Sequence, residues 1–156
     1  VFAAWSRYAS IPLRLGLGVI FFVHGAQKLF GWFGGSGLEG TAQTLESLGL
    51  VPGIVWAVVV ALLETFGGAA LLLGLLTRWV ALALALEMAV ALVLVHLPAG
   101  FAATQGGVEF PLALLAGLVA LACLGAPVWA LDASLPALAP ATGSEPAEPE
   151  AARRAA

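Results

Sequence analysis

The run IPLRLGLGVIFFVHGAQKLFGWF at 11–33 constrains this chain more than any other segment. About twenty apolar residues are enough for a helix to cross a hydrocarbon layer of about 30 Å. This run has that length, yet it carries Arg14, His24 and Lys28. A basic residue at mid-depth costs roughly 2.5–3.5 kcal/mol on insertion-based scales. Such residues face a protein interior or a wet cavity rather than acyl chains. The segment therefore predicts a spanning helix with one polar side, and further helices to enclose that side.

The remaining sequence supplies them. Apolar runs at 52–76, 79–97 and 109–127 predict an all-α membrane protein, a four-transmembrane-helix bundle. Only 10% of the residues are charged and 62% are hydrophobic, whereas a soluble domain carries about 25% charge. A net charge of −3 without a basic cluster speaks against nucleic acid as a partner. Cys123 is the single cysteine, so no intrachain disulfide or cysteine-based metal site is expected. The first apolar run is too long, and lacks the small-residue site, for a cleaved leader. Residues 1–132 read as one membrane domain and 133–156, rich in Ala, Pro and Glu, as a disordered tail.

Punctuation refines these bounds. Ser10 reads as an N-cap with Pro12 in the first turn, and the glycines of 31–40 end the first span. Residues 41–48 predict a short surface helix between the first two spans, capped by Gly49. Thr77 and Arg78 leave room only for a tight turn between the second and third spans. Arg7, Arg14, Arg78, Arg153 and Arg154 fall on one side, while 34–51 and 98–108 contain no Lys or Arg. The positive-inside rule then places both termini in the cytoplasm, as expected of a multi-pass plasma membrane protein.

At about 1.5 Å per residue, Lys28 and His24 fall in the outer half of the bilayer and Glu64 and Glu87 near its middle. His96 and Glu109 come out close to the outer face. Arg14, Gly18, Phe21, Gly25 and Lys28 share one stripe at helical spacing, with His24 at its edge. Glu64 lies beside Gly67 and Gly68, which predicts close helix packing rather than lipid contact. Each group also has a plain structural reading. Lys28 can snorkel to the interface, Arg14 can anchor the cytoplasmic edge, and His24 can bond a neighbouring carbonyl. Glu87 is either a carboxylate partner of Glu64 or an isolated polar residue.

The blocks RLGLGVIFFVHGAQKLF at 14–30, LLETFGGAALLLGLLTR at 62–78 and HLPAGFAATQGGVEFPLALL at 96–115 resemble the DoxX family of small four-span membrane proteins. Arg14, His24, Gly25, Lys28, Glu64, Gly67, Gly68, Arg78, His96 and Glu109 fall on positions characteristic of that family. Glu87 does not, so any role for it is peculiar to this chain. The resemblance implies association with a membrane oxidoreductase system, in quinone-linked redox or sulfur and oxidative-stress chemistry. It implies membrane or membrane-associated redox proteins, or a second copy, as partners, and it does not itself establish catalysis.

Put together, the expected site is a polar intramembrane pocket with no covalently bound cofactor and no metal. A quinone is the candidate ligand, needing an apolar slot, donors at its carbonyls and a proton route. Phe21, Phe22 and Phe66 would form the slot, with Lys28, Arg14, His96 and Glu109 as further ligand contacts. Glu64 and His24 would handle protons. The alternatives are a non-catalytic assembly subunit and a carrier for a small solute or proton acting as a homo-oligomer.

Overall fold

The computed structural model describes residues 8–134, and these are helical throughout apart from their connections. Helix α1 spans Ser10–Phe30 and a 3-10 turn follows at Trp32–Gly34. Helix α2 is Gly37–Ser47, α3 is Gly53–Leu73 and α4 is Thr77–Ala91. The last of these runs on through a π turn, Leu92–His96, and a 3-10 turn, Leu97–Ala99. Helix α5 covers Glu109–Leu124 and a single turn, α6, closes the described chain at Leu131–Ser134.

Three of these helices are long and apolar enough to cross a membrane: Ser10–Phe30, Gly53–Leu73 and Thr77–Ala99. The fourth apolar helix, α5, has 16 residues, about 24 Å at the usual rise. Leu15, Val19, Phe66, Leu82, Leu86 and Val93 stand exposed along their outer faces. Such continuous apolar surface is what acyl chains cover. This is a multi-pass membrane protein.

One core joins the four. Leu17 and Phe21 of α1, Leu71 of α3, Leu84 and Met88 of α4, and Leu114, Leu118 and Leu121 of α5 form a single buried cluster. Helix α1 packs most extensively on α3, and α4 on α5. The α1–α3 crossing depends on glycine. A Cβ on Gly25 would run into the backbone of Thr65, and one on Gly68 into the backbone of Phe22 and the carbonyl of Gly18. Small residues let two backbones approach closely, and in lipid dispersion contact replaces the hydrophobic effect as the attractive term between helices.

Several expected bounds move, each for a local reason. Helix α1 stops at Phe30 rather than 33 because Gly31 turns left-handed at φ 70°. Ser10 is not the cap: Ala9 already has helical backbone, and the Ser10 side chain is buried inside the first turn. Helix α2 starts at Gly37, within the glycine-rich run, and it is Thr41 and Ala42 that it buries. Its end is a Schellman arrangement, Leu50 N–H donating to Leu45 O and Gly49 N–H to Glu46 O. Helix α3 ends at Leu73, since Gly74 is left-handed at φ 65°.

The turn before α4 therefore lies at 74–76, and Thr77 and Arg78 already belong to the helix. A cap distant in sequence makes that start possible: Leu76 N–H and Thr77 N–H donate to Asp132 Oδ1 and Oδ2 at 2.6 and 2.8 Å. Helix α5 ends at Leu124 rather than 127 because Gly125 breaks it at φ 66°. Arg78 donates to the freed carbonyls of Ala122 and Leu124. Ala133 and Ser134, expected in the tail, form the end of α6. The rest of that tail, and Arg7, lie outside the described residues.

Losing a helix N-cap costs about 0.5–2 kcal/mol. Asp132→Ala is expected to lie at the upper end of that range, because two amides lose one carboxylate. The readout is the midpoint of unfolding by SDS in mixed micelles, with Glu39→Ala, an exposed acidic residue of α2, as the control that should not move.

Candidate functional site

The close crossing of α1 and α3 determines what faces what. With Gly25 against Thr65, the next turn of α1 delivers Lys28 to Glu64. Lys28 Nζ stands 2.5 Å from Glu64 Oε2. The Glu64 side chain is 6% exposed and that of Lys28 28%. Lys28 thus ends its side chain on a carboxylate of the neighbouring helix instead of reaching for the membrane surface. Removing two charges from water is costly unless they are paired with good geometry, and this pairing is what lets both sit inside an apolar bundle. Thr65 beside them satisfies its own hydroxyl by donating to Ala61 O at 2.6 Å.

The third member comes from α4. Glu87 has Glu64 and Lys28 as its charged neighbours, and its carboxyl group meets that of Glu64. Its Oε2 is buried with no hydrogen-bond partner. Residues from α1, α3 and α4 therefore converge on one polar centre, beyond the apolar cluster that holds the bundle together.

The other candidate residues are distributed differently. His24 has Lys28 and Glu64 as charged neighbours, but it sits on the exposed flank of α1. Phe21 is fully buried in the apolar core and Phe22 is half-buried. Phe66 is 64% exposed; two positions on from Glu64, it occupies the opposite, outer side of α3. Phe66 therefore cannot line a slot at this centre.

Arg14 is 2% exposed, so it is no surface anchor, but it lies fourteen residues, about 21 Å, along α1 from Lys28. Its Nη2 donates to Trp129 O at 2.9 Å and Val128 O at 3.4 Å. His96 and Glu109 serve the loop between α4 and α5. The His96 Nδ1–H donates to Gly106 O at 2.6 Å, and Glu109 Oε2 accepts from Ala103 N–H at 3.0 Å. A carbonyl only accepts, so Nδ1 carries the proton. Nine residues on from Glu87, His96 falls about half a turn round an ideal helix from the face that carries it, and the π turn over Leu92–His96 does not bring the two together on one centre. Neither residue reaches the Lys28–Glu64 centre.

Two contacts have no counterpart in the expectations from sequence. Asp132 follows a segment without periodicity, and its partners are main-chain amides far earlier in the chain. Glu46 Oε1 accepts from Gly53 N–H at 3.0 Å and caps α3 from the preceding helix. The sequence does carry a signal for it: a Glu seven residues before a helix start, across a Gly-Leu-Val-Pro turn.

Fold and centre together define a class: a small multi-pass helical membrane protein with a charged pair buried between its first and third helices. The comparison with known proteins is specific. The DoxX family model matches residues 9–97, and the chain belongs to that family. It is also 40% identical over 123 residues to a Bacillus subtilis (strain 168) protein named "Putative oxidoreductase CatD". That match covers 79% of this chain and 84% of the relative. No solved structure matches the chain.

Proposed function

We propose that this protein is an integral membrane subunit of a quinone-linked oxidoreductase system, with the Lys28–Glu64 centre as the polar end of its ligand site. The observation that carries this reading is the pair itself, a donor and a carboxylate held side by side within the membrane. A quinone carbonyl would take a hydrogen bond from the Lys28 ammonium, and Glu64 would exchange the proton. His24 on the exposed flank and half-buried Phe22 would meet a ring arriving from the lipid side. The name of the CatD relative agrees with a redox setting.

In this reading the chain crosses a bacterial plasma membrane four times, with α5 as the short fourth span and both ends inside. Arg14 and Arg78 at one end of the bundle, against loops without Lys or Arg at the other, support that orientation.

The test is saturable binding of a short-chain benzoquinone and a naphthoquinone to purified protein in nanodiscs, followed by tryptophan fluorescence. Saturation in the wild type, weakened about tenfold or more (about 1.4 kcal/mol) in the Lys28→Met, Glu64→Leu double variant, is the expected outcome. Identical titrations for the two proteins would remove the site. A second reading, a non-catalytic assembly subunit, draws on the fact that Lys28 and Glu64 already satisfy each other. Full rescue of a deletion strain by the double variant would favour it.

A further inference from the structure

We propose that Glu64 and Glu87 hold one proton between them, so that Lys28, Glu64 and Glu87 form a single charge-neutral, proton-loaded centre. The geometry requires an accounting of charge. Three ionisable side chains from three helices meet where only one of them is a cation. If both carboxyl groups were ionised, two like charges would adjoin in a low-dielectric interior, with one ammonium between them. One of the negative oxygens, Glu87 Oε2, would also be buried without any donor. A buried charged acceptor left unpaired is among the most expensive arrangements in a protein.

A single proton relieves both problems. Two carboxyl groups in contact can share a hydrogen bond only if one of them carries a hydrogen. Glu64 is the ionised member, because Lys28 stands on its Oε2. Glu87 is the acid. The sum over the three groups is then zero, which is the least costly state for a cluster away from water.

No other group among the described residues offers Glu87 a counter-charge. Helix α3 presents Glu64 and α1 presents Lys28 and the exposed His24. On α4 itself, Arg78 and His96 are engaged with carbonyls of 122, 124 and 106. On α5, Glu109 and Cys123 lie near its two ends and are exposed.

Glu87 is thus a positioning residue for Glu64. It holds the exchangeable proton against the carboxylate that the proposed function uses, and the inference rests on that reading only for its purpose. When the proton leaves it passes through Glu64: the O–H bond of Glu87 breaks as one forms on Glu64, Glu64 gives its proton to the acceptor, and the centre becomes singly negative. Uptake from water restores it.

Infrared difference spectroscopy tests this on the full protein in nanodiscs without any quinone. At neutral pH the wild type is expected to show the C=O band of a protonated carboxyl group, shifted on exchange into deuterated water. Glu87→Gln should abolish the band while leaving the SDS unfolding midpoint unchanged, because a carboxamide is neutral and donates as the acid does. Glu64→Gln should also abolish it, since Lys28 then takes Glu87 as its counter-ion.

Absence of the band from the wild type overturns the proposal whether or not either variant folds. Its persistence in Glu87→Gln, or a large drop in that variant's midpoint, overturns it as well. A protein that binds no quinone yet shows the band refutes only the proposed function. One that binds quinone without the band refutes only the shared proton.

Discussion

Lys28→Met is expected to cost about 3–5 kcal/mol of stability, the range seen when one partner of a buried ion pair is removed and the other is left behind. The partial exposure of Lys28, 28% of its side chain, places the value toward the lower end. The loss is not the worth of the pair. It is the cost of a Glu64 carboxylate left in the bundle beside Glu87 with no cation to pair it. Adding Glu64→Leu to the same protein should therefore recover most of the stability, since buried pairs replaced by apolar groups are neutral or better. SDS unfolding midpoints of the wild type, both single variants and the double variant complete the cycle. If Lys28→Met alone were silent, water would already be screening Glu64 and the buried pair would not exist in the membrane.

The second large effect comes from a single methyl group. Gly25→Ala places its Cβ 2.7 Å from Thr65 Cα and closer still to the Thr65 amide nitrogen. No rotamer change can relieve contact with a backbone. Overpacking costs about 1–3 kcal/mol when side chains can adjust, and here the two helices must separate, so the expected loss exceeds about 3 kcal/mol. Gly68→Ala should behave alike, meeting Phe22 Cα and Gly18 O each at 2.8 Å. Gly16 on the same helix as Gly25 faces open space, with nothing within 4 Å of where its Cβ would stand. Gly16→Ala is expected to be neutral or to stabilise by up to about 1 kcal/mol through helix propensity. Equal effects of Gly16→Ala and Gly25→Ala would show that the α1–α3 crossing is not the rigid centre of the fold. The same variants report on the site, because separating α1 from α3 also withdraws Lys28 from Glu64.

The meeting of Lys28 with Glu64 is legible in the sequence because two signals coincide. Glycines mark the faces that touch, and counting residues from the helix ends sets the depth. His24 is only half legible. It lies one position from Gly25, on the shoulder of the crossing, and a stripe drawn from an ideal helix cannot say which side of the shoulder is covered. Arg14 reads as an edge anchor because Arg near a span end commonly is one. Its actual partners, the carbonyls of Val128 and Trp129, are main-chain groups that no side-chain pattern records. His96 and Glu109 share that reason: each is spent on a loop amide or carbonyl, so polarity near the outer face suggests a ligand where the chain needs a staple. Helix ends shift by about three residues where a glycine takes a positive φ inside an apolar run, as at Gly74 and Gly125.

Helix α1 is fastened at two levels on its inward side, by Arg14 to the chain beyond α5 and by Lys28 to α3. Rolling it about its own axis, or sliding it by one turn, would tear away both cations at once. A screw motion of the first helix is therefore opposed at both levels. With both ties intact, α1 and α3 move together more readily than α1 turns alone, and the Lys28 end of the pair is joined through α1 to the stretch of chain around Trp129.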